Sequence, residues 1–204
     1  MPRKPPPGAP TLRRLSGTIQ SEAAIFIYCE GETERAFLDG FRAHFRINRR
    51  LVQTFLGGEP RNCVELAARK LREVRRTGAE IWVVFDRDEH PHWASAIDRA
   101  RQLQMKIGVS NPCFELWAIL LHAEQRASLS HKEAQHKLKS IHPEYDHEKN
   151  PYLKLDLVLL GIESAETRCV ELLRAATDNG DSLGNPTSRF HELVSSVRRR
   201  AVPG

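Results

Sequence analysis

The chain of 204 residues has no stretch approaching the roughly 18 consecutive apolar residues that a membrane span needs. Its first twenty residues lack the apolar h-region of a secretory signal. Cysteine is scarce, and Cys29, Cys63, Cys113 and Cys169 form no C-x-x-C pair. Spacing therefore gives no support to a cysteine-based zinc site, and a disulfide framework is not expected at this size. These absences lead to the expectation of a soluble cytoplasmic protein with reduced, structural thiols and no membrane contact. Acid is missing from residues 1–20, which carry Arg3, Lys4, Arg13 and Arg14, while Arg198-Arg199-Arg200 forms a second basic run. Together these seven cations exceed the net charge of +5, so the body between them is slightly acidic. Basic ends on such a body suit electrostatic contact with nucleic acid or another polyanion, or serve only to solubilise.

What is present reads as one α/β domain. Residues 1–20 are expected to be a disordered basic tail, because Pro5-Pro6-Pro7-Gly8 fits neither a helix nor a central strand. Residues 24–29 then form a continuous apolar run, the pattern of a strand buried on both faces. A helix follows Gly31, with Phe37, Phe41 and Phe45 at i, i+4 and i+8. The spacing predicts a strand over 51–56, a helix over 62–76, a strand over 81–85, a helix over 93–104 and a strand over 105–109. Such alternation with short connections indicates a parallel sheet covered on both faces, with the carboxyl ends of the strands along one edge. Residues 21–112 are thus expected to be the α/β core and 113–200 a mainly helical part, with 201–204 a tail.

Glu30 and the pair Asp86/Asp88 lie far apart in sequence, yet each directly follows a buried strand. The carboxyl edge of an open α/β sheet is where ligands bind, and carboxylates at i and i+2 in extended chain project to one side. Three converging carboxylates repel unless a cation joins them. Hard oxygen donors without clustered histidine or cysteine favour Mg²⁺, with Mn²⁺ as the alternative. Glu32 and Glu34 also suit the first turn of a helix, where acids complement its dipole. Arg87, between the aspartates, points to the other side of an extended chain. Ser110 and Asn111 can contact substrate with Glu115 as a fourth carboxylate, or they can cap the next helix with Glu115 completing a capping box. His90 and His92 are read as solvated, and His131, His136, His142 and His147 as unpaired.

The run Glu30-Gly31-Glu32-Thr33-Glu34 before a helix, with Phe85-Asp86-Arg87-Asp88 closing a strand, resembles the Toprim domain. More specifically, residues 110–117 (Ser-Asn-Pro-Cys-Phe-Glu-Leu-Trp) with Leu121-His122, and later Asn185-Pro186-Thr187, look like the RloB family. The resemblance runs from about residue 22 to 197. It implies a three-layer Toprim-like fold and association with bacterial phage-defence loci, with an ATPase-type defence protein as a partner. It further implies nucleic acid as substrate, DNA or RNA, with Glu30 as general acid/base or metal ligand and Asp86 and Asp88 holding Mg²⁺. Glu34 shares the proton-handling role, and Ser110, Asn111, Glu115 and Asn185 are the substrate-side residues. The sequence departs from nuclease-type members in showing no secure basic residue for the scissile phosphate, since Lys106 opens a strand and Lys154 sits in a loop. Two functions remain open on this reading: a metal-dependent nuclease, or a Mg²⁺-dependent nucleic-acid-binding module that does not cleave.

Overall fold

A computed structural model describes residues 23–87 and 92–201. The N-terminal tail, Asp88, His90 and residues 202–204 lie outside the described residues. Four parallel strands, β1 (Ile25–Cys29), β2 (Val52–Leu56), β3 (Glu80–Val84) and β4 (Lys106–Ile107), form a sheet in the order β2-β1-β3-β4. Three helices connect them: α1 (Glu32–His44), α2 (Pro60–Val74) and α3 (Trp93–Gln102). The remainder is mostly helical, with α4 (Phe114–Leu120), α5 (His131–Ile141), α6 (Leu155–Asp178) and α7 (Phe190–Arg198). The expected α/β fold and helical C-terminal part are therefore present. Among the described residues no helix is long and apolar enough to cross a membrane.

The continuous apolar runs divide by alternation between two cores, because successive side chains of a strand point to opposite faces. Ile25, Ile27, Cys29, Trp82 and Val84 pack with Phe37 and Phe41 of α1 and with helices α4 to α7. Phe26, Tyr28, Ile81 and Val83 pack with Val64 and Ala67 of α2 and Ile97 of α3. This explains why neither β1 nor β3 alternates in sequence.

The last strand differs from expectation. Only Lys106 and Ile107 pair with β3, and residues 110–111 turn away to form β5 (Ser110–Asn111). That strand pairs antiparallel with β6 (Thr187–Ser188). Both preceding and following segments are tied in: Ser110 bridges Asp86 in parallel, and the Ser110 and Ser188 hydroxyls lie 2.8 Å apart. The Asn111–Pro112 and Asn185–Pro186 peptides are both cis.

The Arg198-Arg199-Arg200 run is not a free tail. Arg200 donates from Nη2 to Glu80 Oε1 at 2.8 Å and to the Ala23 carbonyl at 3.3 Å. Glu80 also accepts from Lys106 Nζ, Ser196 Oγ and Trp82 Nε1. These donors outweigh the cost of burial and hold its carboxyl down at about 2. At least one cation of the run thus serves the fold rather than a polyanion.

Two histidines outside the acidic edge also carry structure, and one of them, His142, is expected from the sequence to be unpaired. His122, just past α4, and His142, just past α5, face each other with Nε2 atoms 2.9 Å apart. One ring must donate and the other accept, so protonating both destroys the contact. Burial, and for His142 the neighbouring His122, lower both pKa values from 6.5. The unfolded chain therefore binds more protons below about pH 6.5, and stability falls as the pH drops through the folded values. Urea unfolding is expected to show a lower midpoint at pH 5.5 than at pH 7.5, and a His142→Gln variant should flatten that difference.

Candidate active site

The ends of β1 and β3 lie side by side, since Cys29 pairs with Val84 and the Glu30 backbone N–H donates to the Val84 carbonyl. The next residue on each strand is an acid or leads to one. Glu30 Oε2 accepts from the Asp86 backbone N–H at 3.2 Å, so its carboxylate turns toward the aspartate strand end. Asp86 and Glu30, 56 positions apart, are thereby brought together. Asp88, the third expected ligand, lies outside the described residues. Among the described residues no group of three His, Cys, Asp or Glu side chains is arranged to hold a metal ion.

Glu34 enters from the first turn of α1 and is 4 % exposed. Its Oε2 lies against Gly31, where a Cβ would come within 2.7 Å of it. Glycine at 31 thus lets this carboxylate fold back over the start of the helix. Burial, with the nearby Glu115 adding to it, pushes its carboxyl up to about 7, and the neighbouring backbone N–H groups and His147 do not offset this. Glu32, by contrast, is exposed and ion-paired with Arg35 at 2.7 Å.

Glu115 is the one charged residue on α4, whose seven residues are all buried. It is 2 % exposed and does not complete a capping box, because Cys113 occupies the N-cap position and makes no side-chain cap. Instead its Oε1 accepts from the Tyr145 hydroxyl at 2.6 Å and lies 2.9 Å from His147 Nδ1. His147, Tyr145 and the Cys113 thiol counter the burial and hold the Glu115 carboxyl down at about 2. Ionised, it can only accept, so Nδ1 of His147 carries the proton. The Tyr145 hydroxyl is pushed up by burial and by Glu115, with Cys113 and Asp86 adding to it. One cluster therefore contains Asp86, Glu115, Tyr145, His147 and Glu34.

The other expected substrate residues have their side chains engaged within the protein. Ser110 bonds Ser188, and the Asn111 side-chain amide donates to the Leu183 carbonyl at 2.7 Å. The Asn185 side chain takes both backbone groups of Leu129, accepting at 3.2 Å and donating at 2.8 Å. These three hold the β5–β6 pairing and its loops beside Asp86. Thr187 lies in β6, and its hydroxyl is buried without a partner among the described residues. Arg87 reaches across to Asp181 at 3.0 Å, Lys106 pairs with Glu80 at 2.9 Å, and Lys154 pairs with Glu144 at 2.7 Å.

Tyr145 and His147 were missed by sequence reasoning because they sit in a polar loop without periodicity. The available signal was Glu115 itself, since a carboxylate on an otherwise apolar helix must find donors when buried.

A family model described as RloB: RloB-like protein matches residues 25–197. No curated protein and no solved structure matches the chain.

Proposed function

We propose, from the premise that the chain belongs to the RloB-like protein family, that it is a metal-dependent, nuclease-like phosphoryl-transfer protein acting on nucleic acid, in keeping with the defence role the family resemblance implies. The observation that carries this reading is the turn of the Glu30 carboxylate onto the Asp86 strand end at the carboxyl edge of a parallel sheet. The donor set suits a hard cation. It offers carboxylate oxygens, no accessible thiol, and a buried neighbour, Glu34, whose negative charge is under-compensated.

Glu30, Asp86 and Asp88 would hold Mg²⁺ or Mn²⁺. Such an ion polarises a phosphodiester and lowers the pKa of a bound water. Glu34, with its carboxyl near 7, is suited to hold and release a proton near neutral pH. Glu115 fixes Tyr145 and His147 beside this group.

Labelled DNA, RNA and tRNA incubated with the full chain should be cut with Mg²⁺ or Mn²⁺ and left intact with EDTA. Asp86→Asn is expected to lower the rate about a hundredfold, a loss of about 2.7 kcal/mol in transition-state stabilisation. Cleavage untouched by EDTA and by Asp86→Asn would sink the reading. One observation favours a second function, a module that binds nucleic acid with Mg²⁺ and does not cut it. The basic side chains sought for the scissile phosphate, Arg87, Lys106 and Lys154, are each ion-paired. Metal-dependent binding with intact strands would select it.

A further inference from the structure

An open cavity of about 370 Å³ lies beside the acidic cluster, between one face of α5 and the loop that follows it. Lys132, Gln135, His136 and Lys139 line it from α5. They stand at i, i+3, i+4 and i+7 and so share one helix face, away from the buried Ala134 and Leu138. His147 closes the opposite wall, presenting the ring nitrogen that Glu115 does not use.

We propose that this cavity is a phosphate-binding site, in which Nε2–H of the His147 imidazolium and Nζ of Lys132 take the oxygens of a phosphate carried by a nucleic-acid strand. The inference deepens the function proposed above and rests on it for the identity of the strand, though not for the existence of the anion site.

Charge accounting supports an anion. Lys139 is neutralised by Asp146 at 3.0 Å, and Asp146 also accepts from the backbone N–H groups of Glu148 and Lys149. Lys132 and His147 Nε2 have no protein partner among the described residues. Behind His147 stands the ionised, buried Glu115, with Tyr145 sharing its oxygen and Glu34 further in. The hydrogen bond to Glu115 raises the imidazole pKa, and Glu34 and Glu148 add to it. His147 is thereby kept cationic nearer neutral pH, and Glu148 is the acid on the near rim that opposes the incoming anion.

The orientation is also fixed. Nδ1 is committed to Glu115, so the ring cannot flip without leaving a buried carboxylate short of a donor. Lys132 is placed by the start of α5, which the Ser130–Glu133 capping box closes and which His131 ties to the Pro112 carbonyl at 2.8 Å. The site would supply the cation that Arg87, Lys106 and Lys154 do not. Glu115 is in this scheme a positioning residue.

The test is a titration of the full chain, ¹⁵N-labelled at histidine, at pH 6.5 in EDTA. The probes are inorganic phosphate, a 5′-phosphorylated tetrathymidylate and the unphosphorylated tetrathymidylate. A saturable shift of the His147 Nε2 resonance is expected. Affinity should fall about tenfold in Lys132→Ala, as for loss of one charge-assisted contact, and His147→Ala, which lacks the resonance, serves only to assign it. Lys132 is exposed and has no protein partner among the described residues, so Lys132→Ala should leave folding intact. His147→Ala also takes a donor from buried Glu115, and if it does not fold the Lys132→Ala affinity decides. Tighter binding of a tetranucleotide than of free phosphate identifies a strand as the source, and equal binding identifies the free anion. No saturable shift with any probe, or an affinity unchanged in Lys132→Ala, would overturn the site. Because the titration contains no metal, loss of the nuclease reading leaves this result standing.

Discussion

A Glu34→Gln variant unfolds at a higher temperature than the parent protein at pH 8, and the difference closes by about pH 4.5. The sign follows from linkage. The Glu34 carboxyl moves from an ordinary value of 4.5 to about 7 on folding, so the folded chain binds more protons than the unfolded one between those values. Stability is then fully present below 4.5 and is lost as the pH rises through 7. Two and a half units correspond to about 3 kcal/mol, or roughly 5–10 °C for a domain of this size. Glutamine keeps an oxygen beside Gly31 and removes the charge that faces Glu115. Glu115 itself works in the opposite sense, since its carboxyl falls to about 2 on folding and its contribution is lost only as the pH drops from 4.5 through that value. A Glu34→Gln protein less stable than the parent at pH 8, measured by calorimetry, would mean that the buried negative charge is fully compensated. A stability gain at the expense of activity is the pattern of a functional residue held in an unfavourable environment.

Gly161→Val is expected to lower stability by about 3 kcal/mol, and Gly161→Ala to lower it by less but in the same direction. Helix propensity argues for the reverse sign at alanine, because glycine inside a helix costs about 1 kcal/mol relative to alanine. Packing decides the matter. Gly161 lies in α6 where it crosses the end of α4, and a Cβ there would strike the Leu121 carbonyl, with Leu121 Cα at 2.9 Å. Both are backbone atoms and cannot rotate aside. Arg168 of α6 also donates to the Leu120 carbonyl, so the approach of the two helices is fixed from a second point. Urea midpoints of the two variants and the parent measure the effect, and a Gly161→Ala protein more stable than the parent would show that the helices separate at little cost. Because α4 carries Glu115, the same variants should loosen the candidate site.

Much of this arrangement was legible in the residues. The unbroken apolar runs of β1 and β3 announce strands buried on both faces, and Glu30 and Asp86 follow them directly. A parallel sheet then leaves little choice about which edge they share. The β5–β6 pairing was not legible, because two residues have no period and their partners lie 76 to 78 positions away. Ser110, Asn111 and Asn185 looked like substrate contacts because polar side chains near an acidic edge are equally suited to bind a ligand or to hold a loop. Only coordinates show their partners already chosen. His147 is the reverse case. Glu115 demanded a donor, but any of the nine histidines could have supplied it.

The bond between Arg200 and the carbonyl of Ala23 brings the two ends of the described fold together, at the edge of the sheet where strands enter rather than where the acids gather. A short connector could therefore join residue 23 to residue 201, with a new opening cut in a surface loop, and the circularly permuted chain would keep both cores. Fusion partners attached directly at residue 23 or residue 201 would likewise sit at the rear of the sheet. Large cargo could be carried there without covering the mouth of the candidate site.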